Sequence, residues 1–138
     1  MYPDLKLFIA GKWRKTDADM TVINPATEEE LGRLPRASIK DLDDALEAAV
    51  KGLEVWRKTS PRERADTILR AAALMRERQE EIAQSITLEH GKPLGQARLE
   101  VIRGVEFFEW DAGEAMRTYG RIIPAAQGHK LAVHYQPI

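Results

Sequence analysis

Thr87-Leu88-Glu89-His90-Gly91-Lys92-Pro93-Leu94 is a joint between two amphipathic helices, and the rest of the chain can be parsed from it. Gly91 ends the first helix, because glycine enters the left-handed conformation that closes a helix at little steric cost. Pro93 opens the second, since the N–H it lacks is one that a first helical turn leaves unbonded anyway. Upstream, Ile82, Ile86 and Leu88 continue an apolar pattern to Gly91. Downstream, Leu94, Ala97, Val101, Val105, Phe108, Ala112 and Met116 recur at helical spacing. This last helix is expected to reach Tyr119, with Gly120 as its cap. Gly95, Gly104 and Gly113 fall inside it and are expected at kinks or close backbone contacts, because glycine costs about 1 kcal/mol against alanine in a helix interior.

Two further helix starts lie upstream. Ser38 with Asp41 is a capping signal, and Leu42, Ala45, Leu46, Ala49, Val50, Leu53 and Trp56 follow on one face. Ser60-Pro61-Arg62-Glu63 combines an N-cap serine, a proline at the first helical position and an N3 glutamate. Ala65, Ile68, Leu69, Ala72 and Met75 form its apolar stripe, and the charged run from Arg76 to Glu81 marks a joint with the helix that ends at Gly91.

The first 35 residues read instead as strands. Leu5, Leu7 and Ile9 alternate with Lys6 and Phe8, and Ala10-Gly11 turns the chain into Lys12-Trp13-Arg14. Met20 to Ile23 and Glu30 to Pro35 make a second pair around the Asn24-Pro25 turn. After Ile122-Ile123-Pro124 comes a Gly/Gln turn, then Leu131, Val133 and Tyr135 alternate with Ala132, His134 and Gln136 as a strand. Strands, then helices, then a strand give an incomplete α/β unit.

With 138 residues, the chain suffices for one ordinary domain but not for a typical two-domain enzyme. Hydrophobic residues at 43% and charged residues at 31% describe a globular mixture rather than a disordered one. A net charge of −1, from 21 basic and 22 acidic residues, gives no electrostatic case for nucleic acid or an anionic membrane. No apolar run suits a signal peptide or a membrane span, so a soluble, cytoplasmic protein is expected. The absence of cysteine excludes a disulfide, a thiolate metal site and a cysteine nucleophile within these residues.

No catalytic constellation stands out. His90, His129 and His134 lack metal-ligand spacing, and His90 is explained by backbone carbonyls at a helix end. Ser38 and Ser60 are caps rather than nucleophiles. Glu77, Glu80, Glu81, Glu100, Glu106, Glu109 and Glu114 decorate solvated helix faces. Core packing or a contact between subunits accounts for Phe107, Phe108 and Trp110. Glu89 is the exception: a negative charge in the last turn opposes the helix dipole and calls for a partner. Lys92 is the first choice, with a nearby backbone or a bound cation behind it.

The order of these pieces resembles the aldehyde dehydrogenase superfamily. The matching segments are LFIAGKWR (7–14), VINPATEEELGRLP (22–35), GLEVWRKTSPRERA (52–65), ITLEHGKPLGQARLEV (86–101), AGEAMRTYGRIIP (112–124) and HYQPI (134–138). ITLEHGKPL and YGRIIP look most like the succinate- or glutarate-semialdehyde branch. The resemblance implies that residues 1–120 are the N-terminal part of a cofactor-binding domain and that 121–138 begin an oligomerisation β-hairpin. It implies NAD or NADP as cofactor and a homo-oligomer, dimer or tetramer, as the assembly.

Family chemistry requires a thiolate nucleophile, an oxyanion-binding asparagine, a glutamate base and NAD(P)+ as hydride acceptor. The resemblance places all of these after the segment in which this chain ends. The expectation is therefore the front of an enzyme, inactive alone and binding no cofactor tightly. It also suggests a monovalent cation held by backbone oxygens at Val22 and Ile23 and by the Glu89 carboxylate, a Glu where Asp is common. Arg103 and Phe107 are expected near the substrate tunnel, where an arginine suits an aldehyde bearing a carboxylate. The rival reading is a non-catalytic helical module that self-associates or pairs with full-length subunits.

Overall fold

A computed structural model describes residues 2–17 and 19–135. Two antiparallel strand pairs come first. β1 (Leu7–Ile9) pairs with β2 (Lys12–Arg14), and β3 (Asp19–Ile23) pairs with β4 (Glu30–Pro35). Ala10 and Gly11 both take positive φ, 52° and 75°, the geometry that matches a two-residue turn to the twist of its strands. Strand structure begins at Leu7, so Leu5 lies outside it. In the second pair, Val22 faces Gly32 while Ile23 faces Glu30, which leaves Leu31 as the extra residue of a bulge. Asn24 closes the turn between them: its side-chain oxygen accepts the Ala26 N–H at 2.9 Å and its carbonyl accepts the Glu28 N–H at 2.8 Å.

Four helices follow: α1 (Ile39–Trp56), α2 (Pro61–Glu77), α3 (Gln79–His90) and α4 (Leu94–Ala115). Both serine caps form complete capping boxes, Ser38 with Asp41 and Ser60 with Glu63. The charged joint is Arg78, the single residue between α2 and α3. Gly91 caps α3 in the left-handed region at φ 75°. Helix α4 stops at Ala115 and not at Tyr119, because local bonds take over its last carbonyls. The Arg117 N–H bonds to Glu114 at 2.8 Å, and the Thr118 hydroxyl donates to the Ala115 carbonyl at 3.0 Å. The α4 glycines lie within one continuous helix, and only Gly104 faces a neighbouring helix, through the Met75 methyl.

Helix α4 packs along both α2 and α3. The buried residues at these seams are small: Ala65 and Ala72 on α2, Ala83 on α3, and Ala97, Val101, Val105 and Ala112 on α4. Small side chains let the helix axes come close, and Ile82, Ile86 and Leu94 close over the α3–α4 seam. Ion pairs fasten the rims. Arg98 grips Glu80 with two hydrogen bonds of 2.8 Å, and Arg76 reaches Glu109 at 2.7 Å. Several of the glutamates read as solvated decoration therefore tie helices together. Helix α1 sits apart from these seams and docks on the first hairpin, where Arg14 bonds Asp44 at 2.6 Å. The chain then forms a last hairpin, β5 (Arg121–Pro124) with β6 (Lys130–Val133), around a short 3-10 turn at Ala126–Gly128. Strand β6 ends at Val133, before Tyr135, and the expected strand residue Gln136 lies outside the described residues.

Candidate functional site

Two places collect the residues that the sequence singles out. The first is a corner where the turn after β3 meets the end of α3. Gly91 has the left-handed backbone that only a residue without a side chain adopts freely, and it faces Pro25 and Ala26. A Cβ on it would lie 3.1 Å from Pro25 Cγ and 3.6 Å from the Ala26 nitrogen. Glu89 is two residues back, exposed on the last turn of α3. Its partner is not Lys92, which instead forms an ion pair with Glu100. It is Tyr2, whose hydroxyl donates to Glu89 Oε1 at 2.7 Å. The Tyr2 ring lies against Gly32, opposite Val22 in the β3–β4 register, so closely that a Cβ on Gly32 would sit 2.9 Å from Tyr2 Cδ1.

Desolvation is the main reason that the Tyr2 phenol is pushed up to about 12, with the neighbouring Glu89 carboxylate adding to it. Lys92, Val22 and Glu89 were all visible as candidates, whereas Tyr2 was not. It stands 87 residues from its partner in an unpatterned N-terminal segment. The one available signal was Gly32, since a glycine inside a strand often marks a close approach. Among the described residues, no three histidine, cysteine, aspartate or glutamate side chains gather to hold a metal ion. Of the carboxylate that the sequence offers to a monovalent cation at this corner, one oxygen already accepts the Tyr2 hydroxyl.

The second place is the outward face of α4. Leu99, Arg103, Phe107 and Trp110 follow one another at helical spacing, opposite the buried Ala97, Val101, Val105 and Ala112. Phe107 is 68% exposed and Trp110 67% exposed, so among the described residues neither ring is packed in a core. Arg103 is exposed and, among the described residues, has no ion-pair partner. An unpaired guanidinium beside two bare aromatic faces has the chemistry to bind an organic carboxylate.

The sequence profile of the aldehyde dehydrogenase family matches residues 13–138. The chain belongs to the aldehyde dehydrogenase family. It is 41% identical over 134 residues to glutarate-semialdehyde dehydrogenase of Pseudomonas putida, covering 95% of this chain and 28% of that protein. It is 40% identical to 3-sulfolactaldehyde dehydrogenase of Pseudomonas putida, with the same coverage of each. Aldehyde dehydrogenase 21 of Physcomitrella patens, solved in complex with the reaction product succinate, superposes with a TM-score of 0.85 at 34% identity, covering 93% of this chain and 28% of that one. The chain thus spans little more than a quarter, 28%, of the length of these relatives. What it shares with them is a partial aldehyde dehydrogenase fold of four helices and short antiparallel strand pairs. No helix among the described residues is long and apolar enough to cross a membrane.

Proposed function

We propose that this chain supplies the front of the cofactor domain of an NAD(P)-dependent dehydrogenase that oxidises a semialdehyde acid to the dicarboxylic acid. In this reading, residues 1–120 belong to that domain and residues 121–138 begin the hairpin through which subunits join. The observation that carries it is the match to glutarate-semialdehyde dehydrogenase along 95% of the chain. The exposed Arg103 beside Phe107 supports the substrate class, since a guanidinium suits the distal carboxylate of a semialdehyde. These 138 residues contain no cysteine, so by themselves they hold no thiolate to attack an aldehyde and are expected to be inactive. When bound, NAD(P)+ accepts the hydride; no residue of this chain is assigned to it.

The test is a chimera in which this chain replaces the matching segment of the Pseudomonas putida glutarate-semialdehyde dehydrogenase. Reduction of NAD+ or NADP+ is followed with semialdehydes and with neutral aldehydes of equal length. Arg103→Ala is expected to raise KM for the semialdehydes by roughly ten- to a hundredfold, the worth of a lost charge-assisted hydrogen bond, and to leave neutral aldehydes alone. An equal loss for both classes removes Arg103 from substrate recognition. Preference of the chimera itself for neutral aldehydes removes the semialdehyde assignment. Turnover by the purified 138-residue chain alone would refute its inactivity.

A second reading, an assembly module that pairs with itself or with full-length subunits, is favoured by one feature. Leu42, Leu46 and Val50 on α1 form an apolar stripe left exposed among the described residues. Sedimentation tests it: a chain that stays monomeric across a wide concentration range, both alone and mixed with a full-length relative, sets it aside.

A further inference from the structure

We propose that Tyr2 is a positioning residue that fastens the β3–β4 hairpin to the last turn of α3, so that this corner stands without a monovalent cation. Three contacts meet there. The Tyr2 ring covers Gly32, which is paired with Val22; the Tyr2 hydroxyl holds Glu89; and Gly91 abuts Pro25 and Ala26. Little else joins these elements, because neither β3 nor β4 packs extensively on a helix.

The chemistry of the corner explains why a phenol suits it. Glu89 lies at the negative end of the helix dipole, where a carboxylate is disfavoured unless a donor meets it. A cation meets a carboxylate by its charge and must shed water to do so, whereas a phenol hydroxyl is a hydrogen-bond donor already attached to the chain. A phenol is a neutral donor throughout the ordinary pH range, and desolvation with the Glu89 carboxylate pushes the Tyr2 pKa further up, to about 12. Gly32 completes the arrangement, because any larger residue would displace the ring from the strand. The inference stands apart from the enzyme reading, for it concerns how the chain is held together.

Amide hydrogen exchange tests it at Asn24, Glu28 and Gly91, whose N–H groups bond within the two turns that meet at the corner. Exchange is measured in potassium, sodium and choline chloride at one ionic strength. The wild-type chain is expected to exchange at the same rate in all three. Tyr2→Phe removes one oxygen and is expected to speed exchange at these amides by roughly three- to tenfold in every salt, the worth of one hydrogen bond. Glu89→Gln keeps an oxygen that accepts from the phenol while removing the charge a cation needs, and is expected to leave exchange nearly unchanged.

Saturable protection of the wild-type chain by potassium or sodium relative to choline, abolished by Glu89→Gln, would overturn the proposal. So would unchanged exchange in Tyr2→Phe. Should Tyr2→Phe fail to fold, the comparison of salts on the wild-type chain decides the matter.

Discussion

Helix α1 and the α2–α3–α4 bundle are made from the same kind of pattern and end in opposite states. Helix α1 carries the more regular apolar stripe, yet not one of its residues is buried. The bundle carries shorter side chains at its seams, and there Ala83 and Ala97 reach 0% exposure. The difference shows that amphipathic spacing makes a helix, whereas burial requires a surface of matching shape opposite it. Among the described residues, α1 is offered the edge of a small hairpin, to which Arg14 ties it through Asp44 and Asp41. Helices α2 and α3 are offered α4, whose alanines and valines let all three approach closely.

The contrast can be broken most decisively at the seams. Ala97→Leu forces a large side chain into the closed α3–α4 contact and is expected to cost about 1–3 kcal/mol by urea unfolding. A near-neutral result would mean that the bundle is looser than its burial indicates. Gly91→Ala acts on the joint that lets α3 turn back into α4. The left-handed backbone at φ 75° and the nearby Pro25 ring should together cost about 1–2 kcal/mol.

A smaller effect is expected from acid, and it should reach α1 and α2 alike. The Ser38 hydroxyl and backbone N–H hold Asp41 below its ordinary value, and the Ser60 hydroxyl and N–H do the same for Glu63. A carboxylate depressed in the folded state contributes stability above its unfolded pKa, and that contribution is lost as pH falls through the folded value. Far-UV circular dichroism should therefore show both helix starts fraying as pH drops below the ordinary carboxylate range. Asp41→Asn and Glu63→Gln should flatten that dependence.

The smallest effect is expected on α1. Leu46 is 57% exposed, so Leu46→Ala should change stability by no more than about 0.5 kcal/mol. The same substitution in a packed core costs about 2–5 kcal/mol. A loss of that size at Leu46 would show that α1 is covered in solution, and a concentration dependence of the loss would identify the cover as a second copy of the chain.

Much of this was legible residue by residue. The two capping boxes, the Ala10-Gly11 turn, the Arg78 joint and the Gly91 stop are local signals, set by backbone sterics and hydrogen bonds within a few positions. So was the membership of the family, because matching segments persist in order along the chain. The end of α4 was misplaced because Gly120 is an obvious stop, while the Thr118 hydroxyl that bonds back to Ala115 is an inconspicuous one. The candidate corner was half visible. Glu89 announced that it needed a partner, since a helix dipole is a local property, but nothing local named Tyr2.

The order of elements, the caps and turns, and which face of each helix is apolar were settled by neighbours along the chain, because those forces act over a turn or two. Three-dimensional packing settled which apolar faces find a partner, that Lys92 takes Glu100 instead of Glu89, and that a tyrosine 87 residues away closes the corner. Those outcomes depend on distances that the chain creates only by folding. A side chain chooses the donor or the surface that folding brings within reach, not the one that precedes or follows it.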